Sequence, residues 1–331
     1  MKAYIVRRLL LIIPTFIGIS MISFAVVQLA PGSPVYLKLL SAQGAMTGDA
    51  DTEKIIEDTK RLYGLDKPLW QQYGLWLGRL VTLDFGNSYR DQRPVRDKIL
   101  EALPFTLELN VLSILLIYII SIPVGVYSAT HHRSFTDNVL TVILFILYSL
   151  PSFFVAMLLI LYLGGGEHLN WFPVHGIGST DTERWAWYRL LVDHLWHLVL
   201  PVFCLSYAGL AGLSRYARAG MIETIRQDYV RTARAYGFSE KIVIFKYAMR
   251  NSLIPILTLL GTLLPVLIGG SVIIEQIFSI PGMGRLTFNA ILSRDYPVVM
   301  GTLSISAFLT LIGLLITDIT YALVDPRIRY E

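Results

Sequence analysis

Two carboxylates, Glu108 and Asp318, fall inside long apolar runs, and any chemistry buried in a membrane would have to start from them. A charge at the centre of a spanning helix costs about 2.5–3.5 kcal/mol to insert, so such groups mark ion paths, proton relays or polar contacts. Glu108 lies near one end of its run and Asp318 in the last quarter of another. Both are close enough to an interface to be hydrated or bonded to a neighbour, and both read as intramembrane polar contacts. A proton- or sodium-coupled carrier would need several such groups near the midplane. The other reactive residues are as sparse. His194 and His197 are three apart and His131 and His132 adjacent, each pair near the end of an apolar run, and neither predicts a metal site. Ser206, Ser304 and Ser306 have no evident His or Lys partner, so they are expected to pack or bond between helices. Cys204 is the only cysteine, which excludes an intrachain disulfide and reads as a small buried residue. No G-x-x-x-x-G-K-[ST], G-x-S-x-G or H-E-x-x-H occurs. No catalytic centre is predicted.

The elements that hold these residues are membrane helices. The chain is 54% hydrophobic and 16% charged, against about 25% charged in ordinary globular domains. Apolar runs at Leu9–Ala30, Leu103–Ala129, Asp137–Leu163, His194–Leu213, Leu253–Ile274 and Val298–Val324 are each long enough to cross about 30 Å of hydrocarbon. The expected fold is an all-α membrane protein of six transmembrane helices. Pro14, Pro123, Pro151, Pro201 and Pro265 are expected to kink these helices without ending them. The first run follows Lys2, Arg7 and Arg8 and ends without an A-x-A-like site, as an uncleaved helix would.

Basic residues set the orientation. They concentrate at the N-terminus and between Arg215 and Arg250, which places both termini and that segment in the cytoplasm. A net charge of +4 gives no reason to expect nucleic acid. The organisation expected is residues 1–30 as the first helix, 31–102 as an extracytoplasmic loop, 103–324 as a five-helix core and 325–331 as a cytoplasmic tail. Within the loop, Thr52–Tyr63 is a candidate amphipathic helix. A second follows Pro68, with Trp70, Tyr73, Leu77 and Leu80 on one face, set to lie on the membrane or to pack on the protein's own helices.

The densest basic segment, "YVRTARAYGFSEK" (Tyr229–Lys241), sits in the cytoplasmic loop 214–252. Ala219–Ala235 suits a helix stopped by Gly237, the residue that tolerates positive φ. Ser239 can cap a second helix, with Glu240 favoured in its first turn. A short helix, a sharp turn and a second helix entering the membrane result.

"DYVRTARAYGFSEKIVIFKYAMRNSLIP" resembles the cytoplasmic loop of permease subunits of ABC importers, in the dipeptide/oligopeptide (peptide/nickel-type) branch. The general motif E-A-A-x3-G falls on Arg231, Thr232, Ala233 and Gly237. The branch pattern Y-V-x-T-A-R-A-K-G is matched at Tyr229, Val230, Thr232, Ala233, Arg234, Ala235 and Gly237, with Tyr236 in place of the basic residue. "RRLLLIIPTFIGISMISF", "LAPGSP", "LDFGNSY", "LPFTLEL", "EQIFSIPGMGRL", "SRDYPVVMG" and "DPRIRYE" extend the likeness along the chain. The resemblance implies a type I importer permease in the bacterial inner membrane. It would pair with a second homologous permease subunit, dock on two cytoplasmic ATP-binding subunits and receive substrate from an extracytoplasmic binding protein. ATP and Mg would reside on the ATPase subunits, and this chain would bind no cofactor of its own beside membrane lipid. The residues implied in ATPase coupling are Tyr229, Thr232, Ala233, Arg234, Ala235, Gly237, Phe238, Ser239 and Glu240, with Ala233 and Ala235 keeping the docking surface low. The alternatives are a self-sufficient ion-coupled secondary transporter and an intramembrane enzyme. The first lacks visible coupling sites and the second a nucleophile–base pair.

Overall fold

The computed structural model describes residues 2–29, 66–164, 169–180, 182–253, 256 and 270–324. Among these it is helical, with no strand and an isolated bridge between Asn87 and Pro94. The helices are α1 (Lys2–Leu29), α2 (Leu69–Val81), α3 (Val95–Thr130), α4 (Phe135–Ser149), α5 (Ser152–Leu159), α6 (Trp187–Ile225), α7 (Asp228–Ala235), α8 (Glu240–Ile242), α9 (Val272–Ile277), α10 (Met283–Leu292) and α11 (Tyr296–Val324). A π-helical turn, Ile160–Gly164, extends α5. A second, Val243–Ala248, carries α8 on into Met249–Ser252.

Four described helices are long and apolar enough to cross a membrane: α1, α3, α6 and α11. With α4 and α5 counted as one broken span, there are five. Of the expected run Leu253–Ile274, residues 254–255 and 257–269, with Pro265 among them, lie outside the described residues, as does all of the expected helix Thr52–Tyr63. Spans one, two, four and six therefore have helices where the apolar runs predicted them, with α3 and α6 longer than their runs. Pro14 and Pro201 sit within continuous helices as expected. Pro151 does not. The chain leaves the helix at Leu150 and bends by 99° before α5. Leu150 takes extended dihedrals, as a residue before proline favours, and the Tyr207 hydroxyl donates to its carbonyl at 2.5 Å. That external donor lets the helix end inside the apolar run.

The chain forms two compact units, residues 1–104 with 286–311, and residues 105–285 with 312–331. In the first, α2 packs on α1. The Tyr73 ring meets Phe24 at 5.4 Å and its hydroxyl shares a 2.9 Å hydrogen bond with Ser20, while Gln28 donates to Gln72 at 2.8 Å. Of the two placements open to this amphipathic helix, Tyr73 shows packing on the protein; Trp70 on the same predicted face remains exposed.

In the second unit, α5, α6 and α9 close around a core that includes Ala156, Cys204, Tyr207 and Phe278. Small residues let long helices approach. A Cβ placed on Gly125 of α3 would lie 2.5 Å from the Ala217 Cβ and 2.7 Å from the Ser214 carbonyl of α6. Such close crossings are how helices associate where lipid supplies no hydrophobic drive. Gly125→Leu is expected to lower stability by about 1–3 kcal/mol through overpacking, read as a lower thermal unfolding midpoint in detergent. Gly212→Ala, on the same α6 with open space around its Cβ, should leave that midpoint unchanged or raised.

Candidate functional site

The cytoplasmic loop is assembled from the end of α6 onward. That helix stops at Ile225, where the Arg226 and Gln227 amides bond back to Glu223 and Thr224. Gln227 is extended (φ −70°, ψ 150°) and starts α7. The continuous helix expected over Ala219–Ala235 is thus two helices. Asp228 in the first turn of α7 favours the new start through the helix dipole.

One face of α7 is internal. Val230 and Ala233, three apart, are 0% and 4% exposed and pack with Val126 and Ala129 of α3, Met221 of α6, and Val243 and Ala248 of the next helix. Ala233 is therefore a packing residue of the protein's own core and not part of an exposed docking surface. Tyr229, Thr232, Arg234, Ala235, Tyr236, Phe238, Ser239 and Glu240 are all on the outside.

The turn is internally braced. Gly237 takes φ +81° at the position after the helix cap. Its amide donates to the Arg234 carbonyl at 2.9 Å and the Phe238 amide to the Ala233 carbonyl at 3.4 Å, the pair of bonds that defines a Schellman ending. The Arg234 guanidinium bridges to Glu240 across the turn at 2.8 Å, and the Asn251 amide donates to the Tyr229 hydroxyl at 2.8 Å. Phe238 leans on Tyr247 with ring centroids 5.6 Å apart. Ser239 occupies the N-cap position expected of it, without a side-chain capping bond. Nothing lies within 4 Å of a Cβ built on Gly237, so that side of the turn opens to solvent.

Beside this loop is a cluster that the reading of the sequence missed. Asp137, 1% exposed, is gripped by Arg218 in a bidentate pair, Nε to Oδ1 at 2.9 Å and an NH2 to Oδ2 at 2.8 Å. The Ser128 hydroxyl also donates to Asp137, and the Arg133 amide does so at 2.9 Å from a residue held at φ +64°. One carboxylate thus joins the end of α3, the start of α4 and the end of α6. The local signal was Ser134-x-x-Asp137: the Ser134 hydroxyl accepts the Asp137 amide as an N-cap, which marks a helix start and not a bilayer position. Nothing in the sequence pointed to Arg218.

In the N-terminal halves of α3 and α6, Glu108 and His194 meet at 2.8 Å, while His194 Nδ1 lies 2.7 Å from the Ile177 carbonyl. A carbonyl only accepts, so Nδ1 carries a proton and the Glu108 contact shares a second one. Glu108 therefore has a partner within the protein. Asp318 is partly buried on α11. A second missed carboxylate, Glu275, is 1% exposed and receives the Thr106 hydroxyl at 3.0 Å and the Arg285 amide at 2.8 Å. Thr106 in turn accepts the Met283 amide, so the group fixes the segment after α9. In the other unit Asp295 receives the Ser88 hydroxyl and the Tyr89 amide. Nearby, partial burial works against ionising Asp91. The Lys98 ammonium at 2.7 Å and the Arg93 amide, donating at 3.2 Å, outweigh it and hold that carboxyl below the usual range. Among the described residues, no three His, Cys, Asp or Glu side chains are grouped to hold a metal.

A family of binding-protein-dependent transport system inner membrane components matches residues 121–330, and the N-terminal region of such membrane components matches residues 1–110. The chain belongs to this family. It is 44% identical to an oligopeptide transport system permease of Bacillus subtilis strain 168, with all of both chains covered. It is 34% identical to a dipeptide transport system permease of Escherichia coli K12, again over the full length of both. A peptidoglycan transport system permease of Agrobacterium fabrum is 35% identical, covering all of this chain and 99% of that one. The protein is therefore a multi-pass permease subunit of an ABC importer in the bacterial inner membrane, a system that includes ATPase and substrate-binding partners. Nothing found favours the secondary-transporter alternative.

Arg218→Ala leaves Asp137 buried without its cation, which costs about 3 kcal/mol, the low end of the range for broken buried pairs because Arg218 is partly exposed. The expected result is a lowered unfolding midpoint in detergent, partly restored in the double variant with Asp137→Ala. No recovery in the double variant would show that Arg218 acts by some other contact.

Proposed function

We propose that this chain is one half of the pathway of an importer for di- and oligopeptides, with six transmembrane helices, both termini in the cytoplasm and the 31–102 loop outside. The apolar run at Leu253–Ile274, the bent α4–α5 pair and the basic residues between Arg215 and Arg250 support that topology. The peptide class is supported by relatives named for oligopeptide and dipeptide transport. In this reading the chain has no ATPase site and binds no cofactor. ATP and Mg belong to two cytoplasmic subunits, and a second homologous permease and an extracytoplasmic binding protein complete the assembly.

The observation that carries the reading is the α7 turn. Its inner face is locked to α3 and α6 by Val230 and Ala233, while Tyr229, Thr232, Ala235, Tyr236 and Phe238 face outward. A rigid element with an open face is what an ATPase groove would need in order to move the spans. ATP-driven closure displaces α7, and α6, joined to it by two residues, carries the displacement into the membrane.

Gly237→Arg is expected to insert normally, abolish peptide uptake and leave ATP hydrolysis running uncoupled. Gly237→Ala, which costs about 1–2 kcal/mol for the left-handed backbone alone, should keep most uptake. Normal uptake by Gly237→Arg at equal membrane level would remove the coupling role from this turn. Purification of the tagged chain from its native membranes in mild detergent should recover two ATPase chains and a second permease in stoichiometric amounts; recovery of this chain alone after prior crosslinking would sink the assembly proposed.

A further inference from the structure

A cavity of about 670 Å³ opens at the Leu29 end of α1, between that helix, α2 and the start of α11. Its volume lies in the range of small-molecule sites. The wall is apolar where Phe24, Trp76 and Met300 line it, and charged where Asp66, Lys67, Arg79 and Asp84 do. Among the described residues, no hydrogen bond or ion pair engages the Lys67 ammonium or the Arg79 guanidinium. One Asp84 oxygen accepts the Gly86 amide at 3.0 Å, which leaves the other available. Two cations unpaired among the described residues and two carboxylates on one apolar-floored cavity fit a ligand that carries an anion and a hydrogen-bonding ammonium together.

Its depth selects the ligand further. The apolar run of α1 ends at this level, and Ile22, Val26 and Leu29 near its end are exposed. On α2, Trp70, Leu75 and Val81 are also exposed although the helix is packed on α1. Exposed apolar side chains at a helix end beside an amphipathic helix mark the boundary between hydrocarbon and headgroups. The molecule that brings an anion and an ammonium to that boundary is a phospholipid.

We infer that this cavity binds the headgroup of a glycerophospholipid with a primary ammonium. Arg79 and Lys67 take the phosphate, Asp66 and Asp84 accept from the ammonium, and the acyl chains follow the exposed side chains of α1. A quaternary ammonium has no N–H to give the carboxylates, and a lipid without an ammonium leaves them facing a like charge. The inference requires only that α1 crosses a membrane, and it stands or falls independently of the cargo and of the α7 turn.

The test is native mass spectrometry of the importer purified in detergent and offered phosphatidylethanolamine, phosphatidylglycerol and phosphatidylcholine in equal amounts. Phosphatidylethanolamine should be retained about tenfold over the other two, the effect of one or two charge-assisted bonds. Arg79→Ala with Lys67→Ala should lower its retention about tenfold, and Arg79→Lys should keep most of it. Asp84→Asn with Asp66→Asn should erase the preference over phosphatidylglycerol. Equal retention by the Arg79→Ala, Lys67→Ala variant would overturn the site. So would displacement of the lipid by millimolar inorganic phosphate or O-phosphoethanolamine, which would make it a site for a soluble ligand. These substitutions fall on exposed side chains, and unfolding midpoints measured alongside separate lost binding from lost folding.

Discussion

Hydrocarbon offers no hydrogen-bond partner, so every polar group carried into the membrane must be answered by the protein itself. Much of this structure follows from that constraint. The break at Leu150–Pro151 is tolerated because Tyr207, fully buried, donates to the Leu150 carbonyl. Two buried serines on spanning helices turn back on their own backbone, Ser113 to Leu109 at 2.7 Å and Ser304 to Met300 at 2.6 Å, and Ser121 donates across to the Leu210 carbonyl at 3.1 Å, while the buried Ser214 hydroxyl is left without a partner among the described residues. Two ionisable pairs join neighbouring helices, Glu108 with His194 and Asp137 with Arg218. The fold gives its buried carboxylates Asp137 and Glu275 several donors each, and elsewhere uses small residues such as Gly125 that let helices touch.

The same constraint decides how much could be read from the sequence. Long apolar runs are unavoidable in a spanning helix, so α1, α3, α6 and α11 were visible from composition alone. Gly237 was visible because a helix ending at positive φ leaves little choice of residue. Tertiary partners hid the rest. Pro151 ends a helix where Pro201 is absorbed within one, and the difference lies in Tyr207, far along the chain. The break at Gln227 follows no proline or glycine. Ala233 belongs to a motif read as a surface, and its inward direction emerges only once Val230 fixes which face of α7 is buried. Asp137 and Glu275 were counted as a span boundary and part of a matched stretch, because their partners Arg218 and Thr106 are 81 and 169 residues away.

These details bear on how a push at α7 would reach the membrane. Close-packed side chains transmit displacement because they compress little, and the cluster around Val230, Ala233 and Met221 is of that kind. Packing alone would permit α7 to slide over α3. The Asp137–Arg218 pair lies on the neighbouring turns of α6 and couples it to the α3–α4 corner by directional bonds. Apolar contact resists compression and the ion pair resists shear. In the proposed coupling role α7 would be pushed and pulled and would need both, and the turn at Gly237, its own backbone bonds and the Arg234–Glu240 bridge already made, offers an outer face that a partner could bind without first unmaking it.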